Sequence, residues 1–214
     1  MRAMNPECLA CQRLIGVVVY PPLAIQPVDS TQMYAELTSH YPYQSFQHLP
    51  DGARMANPDS DLFIQVNRVQ VNENVQYFPA AKEKCVDIFG MVQRRFGIQQ
   101  FLNLGVKLLA FLPMENSESA ADFIHNNILS GIKDKLDLLG HGRQGSGIRV
   151  RLQKDGVHDL RIEPFFNDLS QLYIELDVQY PYPFSDLGLV EPRLDAAYDY
   201  LFGEVKSFLS SLNS

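Results

Sequence analysis

The sequence predicts an α+β protein: an internally duplicated β-α-β-β-β-α unit, with a mostly antiparallel sheet and helices on one of its faces. Three observations carry that expectation. Leu62-Phe-Ile-Gln-Val-Asn67 and Leu172-Tyr-Ile-Glu-Leu-Asp177 match in character position by position, and internal similarity is sought first because it sets the whole architecture. Each of these segments follows a turn, Asn57-Pro-Asp-Ser60 or Asn167-Asp-Leu-Ser170, and each has an Asp-Gly pair further upstream, at 51–52 and 155–156. Asp-Gly suits the tight turns of hairpins, where positive φ is needed. Each half then closes on a run with helical spacing. The expected organisation is an N-terminal tail over 1–13, a first repeat over 14–100 and a second over 101–214, the two repeats forming one continuous domain.

The first repeat opens with the apolar strand Leu14 to Tyr20, stopped by Pro21-Pro22. A helix is expected from about Ser30 to His40, with Ser30 as its N-cap. A three-strand meander follows, and its phase slips after Val66, where Val69 and Val71 fall on the other parity; a bulge or an extra short strand would account for this. The closing helix runs from about Pro79 to Phe96, with Ala81, Cys85, Ile88, Phe89, Val92 and Phe96 on one face. The second repeat opens with the strand Leu104 to Pro113. A helix of about 117–139 is expected next, with Ala121, Ile124, Ile128, Ile132, Leu136 and Leu139 in register. The last helix is expected from about Pro192 to Leu212, proline being well placed at a helix start.

The strands of the second half alternate. Ile148, Val150, Leu152, Leu160, Ile162, Leu172, Ile174, Leu176 and Val178 point one way, toward the helices. Arg149, Arg151, Arg161, Glu163, Glu175 and Asp177 point the other. An antiparallel sheet covered on one side has this pattern. The charged ladder is the main candidate binding surface, and cross-strand ion pairs are its simplest explanation.

The arrangement resembles the duplicated TATA-binding-protein-like fold in topology. The chain also resembles a sporadically distributed family of uncharacterised bacterial proteins. The residues that carry this second resemblance are the strand ending at Pro21, the strand Leu104-Gly-Val-Lys-Leu-Leu109, Leu172-Tyr-Ile-Glu-Leu-Asp177, and the helix Leu194-Asp-Ala-Ala-Tyr-Asp-Tyr-Leu-Phe202. The resemblance implies architecture rather than chemistry.

Charge narrows the partners. The 214 residues carry 18 Lys and Arg against 25 Asp and Glu, a net charge of −7. Binding to nucleic acid is driven largely by cations that neutralise phosphates, so neither nucleic acid nor an anionic membrane is the expected partner. No apolar run approaches the length of a membrane span, and the start of the chain lacks a secretory h-region; a cytoplasmic location is expected.

Three cysteines do not suggest a disulfide framework. Cys8 and Cys11 form a CxxC, a weak metal candidate because the second half of a zinc site is missing. The loop Gly140-His-Gly-Arg-Gln-Gly-Ser-Gly147, with His141 and Arg143, could hold an anion through backbone N–H groups. It lacks the Gly-Lys-Ser/Thr of a phosphate loop, and a flexible connector is the plainer reading. The five histidines lack metal spacing. Tyr41-Pro-Tyr43 and Tyr180-Pro-Tyr-Pro183 either cover core edges or form an interface rim. No catalytic constellation emerges and no cofactor is implied. The expected function is a non-enzymatic binding or protein-interaction module that uses the open sheet face, its partner another protein or a second copy of the chain. The alternative is a small-molecule or anion site, or an enzyme, in a crevice between the repeats near residues 140–147.

Overall fold

A computed structural model describes residues 4–115, 118–140, 142 and 144–212. Nine strands form one sheet: β1 (Ala10–Val19), β2 (Ser45–Leu49), β3 (Gly52–Asn57), β4 (Ser60–Gln65), β5 (Arg68–Asn74), β6 (Asn103–Pro113), β7 (Ile148–Gln153), β8 (Val157–Pro164) and β9 (Gln171–Tyr180). Their order is β2-β3-β4-β5-β1-β6-β9-β8-β7. Every neighbouring pair is antiparallel. Apart from β2, the order reads the same outward from the β1–β6 pair on both sides. The fold is α+β, as the alternation and helical periods predict. None of its described helices is long and apolar enough to cross a membrane.

The helices lie on one face: α1 (Pro27–Thr38), α2 (Phe78–Phe96), α3 (Ala120–Phe123), α4 (Lys133–Leu136), α5 (Val190–Tyr200) and α6 (Lys206–Ser211). The core lies between them and the alternate residues of the strands. Leu14 and Val18 of β1, Leu108 and Leu112 of β6, and Leu172, Ile174, Leu176 and Val178 of β9 are buried with Ile88 and Phe89 of α2 and Leu194 and Leu201 of the last helical run. A Cβ at Gly16 would lie 3.3 Å from the Phe89 ring, so the bare backbone of β1 lets α2 settle close to the sheet centre.

Several expectations need correction. The first half carries four strands after α1, not three. Val66 and Asn67 are a two-residue turn between β4 and β5, with Gln65 opposite Arg68; each strand keeps its own alternation, which is why the parity slips. The structural counterpart of β9 is therefore β5, the neighbour of β1, rather than β4, which holds the matching sequence. Strands that face one apolar layer resemble each other, so sequence likeness alone misaligns them by one hairpin. At the first hairpin, Pro50 and Asp51 form the turn and Gly52 begins β3 at φ +154°. A Cβ there would fall 2.0 Å from the Ile64 carbonyl oxygen, so only glycine fits.

The expected tail is structured from Met4 onward. Met4, Leu9 and Cys11 are buried, β1 starts at Ala10, and Met4 bridges to Met114. Short apolar side chains between polar ones hide this edge of the core in the sequence. Helix α1 starts at Pro27, three residues earlier than expected; the Asp29 carboxylate accepts the Gln26 backbone N–H at 3.0 Å, and Ser30 is buried inside the helix.

The expected helix over 117–139 is broken. Ser119 caps α3, accepting the Asp122 N–H at 3.0 Å, and the chain passes through a π-turn at Ile124–Ile128. It then leaves helical geometry until α4 and a final 3-10 turn at Asp137–Leu139. Ser130-Gly131 stands at the break, and glycine is a poor helix former. Leu138 and Leu139 are 86% exposed. Ser117 lies outside the described residues. The closing helix, by contrast, is continuous through α5, a π-turn at Leu201–Val205 and α6.

Candidate functional site

Among the described residues the sheet face away from the helices has no covering layer, and two kinds of side chain line it. The first is the charged row of the second half. Arg149 of β7 donates to both carboxylate oxygens of Asp159 on β8, each at 2.7 Å. Arg161 of β8 donates to Glu175 of β9 at 3.0 Å and lies 3.6 Å from Glu163. Lys107 of β6 lies 3.3 Å from Glu175 and 3.1 Å from Asp177. The Tyr173 hydroxyl donates to Glu175 at 2.7 Å, with the Arg161 guanidinium 5.4 Å from its ring centre. Arg151 lies opposite Asp159 in register.

The row therefore brings together Arg149, Arg151, Arg161, Glu163, Glu175 and Asp177 and adds Lys107, Asp159 and Tyr173, which sequence reasoning missed. The missed signal was parity: Lys107 is the lone charge in an apolar strand, and Asp159 shares the phase of Arg161. Hydrogen bonds from Arg149 hold the Asp159 carboxyl below the usual range. Burial works against the Glu175 carboxylate, but the Tyr173 hydroxyl, Lys107 and Arg161 outweigh it, so Glu175 also titrates low. Four cations meet four anions here. Both shifted carboxyls are held ionised, which suits ion pairing.

The second kind is apolar and runs down the middle. Ile15, Val17 and Val19 of β1 and Leu109 and Phe111 of β6 are half-buried on the uncovered face. Phe111 packs edge-on to Phe165 and Tyr173, with ring centres 4.9 and 5.7 Å away. Where Gly105 lacks a side chain, a hollow of about 190 Å³ opens between Ile15, Val17, Gln70, Lys107, Asp177 and Gln179. On the far side of the stripe, Asp61 takes Arg54 at 2.5 Å and lies 3.9 Å from Arg13. The stripe escaped notice because Leu14 to Val19 is apolar at every position that carries a side chain, so alternation says nothing about which half faces the core.

The remaining candidates scatter. Cys8 is exposed, and Cys11 is buried, its thiol pushed up to about 12 by burial. A thiol that high is neither a ready nucleophile nor a ready ligand. Among the described residues no three His, Cys, Asp or Glu side chains gather as a metal site. His141 and Arg143 lie outside the described residues. Gln144, Gly145 and Ser146 of their loop line a polar cavity of about 300 Å³ with Ser119, Asp122, His125 and Leu169. The halves meet at β1 and β6, and β7 is three strands further out; the loop and the junction between repeats are thus separate places. Of the Tyr-Pro clusters, Tyr43 and Tyr180 are buried and Tyr182 is exposed. Tyr180 donates to the Arg193 carbonyl at 3.1 Å, so most of this material closes core edges.

A buried polar cluster has no sequence signal at all. The Ser60 hydroxyl donates to Glu73 and lies 3.3 Å from the Tyr43 hydroxyl. Lys84 of α2 donates to Ser60 at 2.9 Å and pairs with Glu73 at 2.7 Å, over the rings of Tyr41 and Tyr43. Ser60, Glu73 and Tyr43 are buried, so the serine has no path to a substrate and the cluster pins α2 to β4 and β5. Neither family models nor curated proteins give a match to this chain.

Proposed function

We propose that this chain is a non-enzymatic protein-interaction module whose partner docks on the open sheet face, along the stripe of Ile15, Val17, Val19, Leu109 and Phe111. The observation that carries this reading is the stripe itself: apolar side chains on adjacent central strands with no layer over them. Contiguous exposed apolar surface rimmed by polar groups is the usual mark of such a site. The flanking row supports the reading by its neutrality. Lys107, Arg149 and Arg161 are paired within the row, so the surface beside the stripe favours an apolar partner centre over phosphate or a strongly charged ligand. The strand order, symmetric about β1 and β6, supports a duplicated origin, with the stripe on the seam between the two copies.

The test is native mass spectrometry of the tagged chain isolated from its own host, comparing wild type with an Ile15→Glu/Leu109→Glu variant. The expected result is a mass above the chain's by a protein-sized increment, its own mass if the partner is a second copy, that is lost in a variant with unchanged circular dichroism. A bare chain in the wild type, or a complex that survives the variant, contradicts the reading. The polar cavity beside Gln144–Ser146 favours a second reading, a small-ligand site; a metabolite that raises the melting temperature of wild type but not of Asp122→Ala would support it.

A further inference from the structure

The two outer strands of the sheet are built differently. β2 exposes Ser45, Gln47 and His48, and its apolar residues are covered: Phe46 packs on Tyr34 of α1 with ring centres 5.0 Å apart. In β7 every residue from Arg149 to Gln153 is exposed. β7 pairs only with β8, so among the described residues its other edge presents backbone N–H and C=O groups with no strand partner. Its two faces carry different chemistry. Val150 and Leu152, each 38% exposed, stand on the helix side with no helix over them. Arg149 and Arg151 stand on the open side; the Arg149 side chain is 73% exposed even while paired with Asp159, and Arg151 makes no ion pair among the described residues. Arginines alone would be the common guard of a sheet edge against unwanted pairing. Bare valine and leucine between them are the opposite of a guard.

We propose that the free edge of β7 accepts an extended segment of a partner protein, added as a tenth strand, in which acidic residues facing Arg149 and Arg151 alternate with apolar residues facing Val150 and Leu152. Strand addition draws affinity from main-chain hydrogen bonds and specificity from alternate side chains. Charge chooses the occupant. A second copy pairing antiparallel through β7, with its helices on the same side, sets Arg149 across from Arg151, and like charges directly opposite are unfavourable. An acidic strand turns both positions into cross-strand pairs. The inference does not rest on docking at the central stripe, which lies three strands away.

Fluorescence anisotropy with the full chain tests it. The probe is a short labelled peptide of alternating glutamate and valine. Its comparators are the same composition in blocks, a lysine-for-glutamate version, and two versions N-methylated along one or the other backbone edge. The alternating peptide is expected to bind, and the block and lysine versions roughly tenfold more weakly or not at all, as when cross-strand charge pairs are lost or reversed. One N-methylated version should fail and the other bind normally, because a strand added to an edge uses only alternate amides. Arg149→Glu/Arg151→Glu should weaken binding about tenfold, and Gln47→Glu on β2 should leave it unchanged. Arg151→Glu alone breaks no hydrogen bond and keeps the test open if the double variant unfolds. Equal binding of the block peptide, or indifference to both methylation patterns, would overturn strand addition. A wild-type oligomer that the double variant disperses would also overturn it, by giving the edge to a second copy.

Discussion

At the β2 end of the sheet the unbroken 12-residue α1 lies over the outer strands; at the β7 end α3 gives out after four residues and a π-turn, before it covers the last strand. The difference teaches how one sheet can carry one finished edge and one open one. An edge strand needs its apolar residues covered or its sequence made polar. In the first half α1 does this work, with Tyr34 packed on Phe46. In the second half the helix breaks near Gly131, and β7 keeps an inward-type alternation that is left partly exposed.

The largest effects should come from the finished side. Glu73→Gln leaves the part-buried Lys84 without its counter-charge and is expected to cost about 2–4 kcal/mol in urea unfolding. A change below about 1 kcal/mol would mean the cluster is wetter than its burial implies. Core truncations should be equal in the two halves and vanish at the open edge. Leu62→Ala and Leu176→Ala, both fully buried, are each expected to cost about 2–5 kcal/mol, and Leu152→Ala less than about 1 kcal/mol. An equal cost at Leu152 would break the comparison, since it would place a cover over β7. Gly52→Ala, next to the β2 edge, should cost about 1–3 kcal/mol through backbone strain and the contact with Ile64. The smallest effect is acid-dependent. Glu175 is held low in the folded chain, so its pairing stabilises fully above the unfolded carboxyl range and is lost as pH falls from there through the lower folded value. Stability curves of wild type and Glu175→Gln should therefore converge on acidification; parallel curves would show that Glu175 contributes nothing through its charge.

Much of this fold was legible in the sequence. Helical spacing found α2 and the α5–α6 run because each face is contiguous and packs along its length. Alternation in β8 and β9 placed Arg161, Glu163, Glu175 and Asp177 on one face because every second residue there is apolar. The same rule was silent for β1, where Leu14 to Val19 is apolar on both parities. It misled over 117–139, where helical periodicity continues through Ile132 and Leu136 although α4 buries none of its residues. Helical spacing reports that a face could be buried; tertiary structure decides whether anything is there to bury it. The Ser60–Glu73–Lys84 cluster joins two strands and a helix across long sequence separations, so no local pattern announces it.

The reading of the open face as a docking surface is tested most directly by photo-crosslinking in cells of the native host. A benzophenone amino acid replaces Phe111 at one end of the stripe, and in a parallel strain replaces Phe208, exposed on the helix layer. The expected result is one protein adduct of discrete mass from position 111, lost when Ile15→Glu is added, and none from position 208. Equal adducts from both positions, or none from position 111, would contradict it.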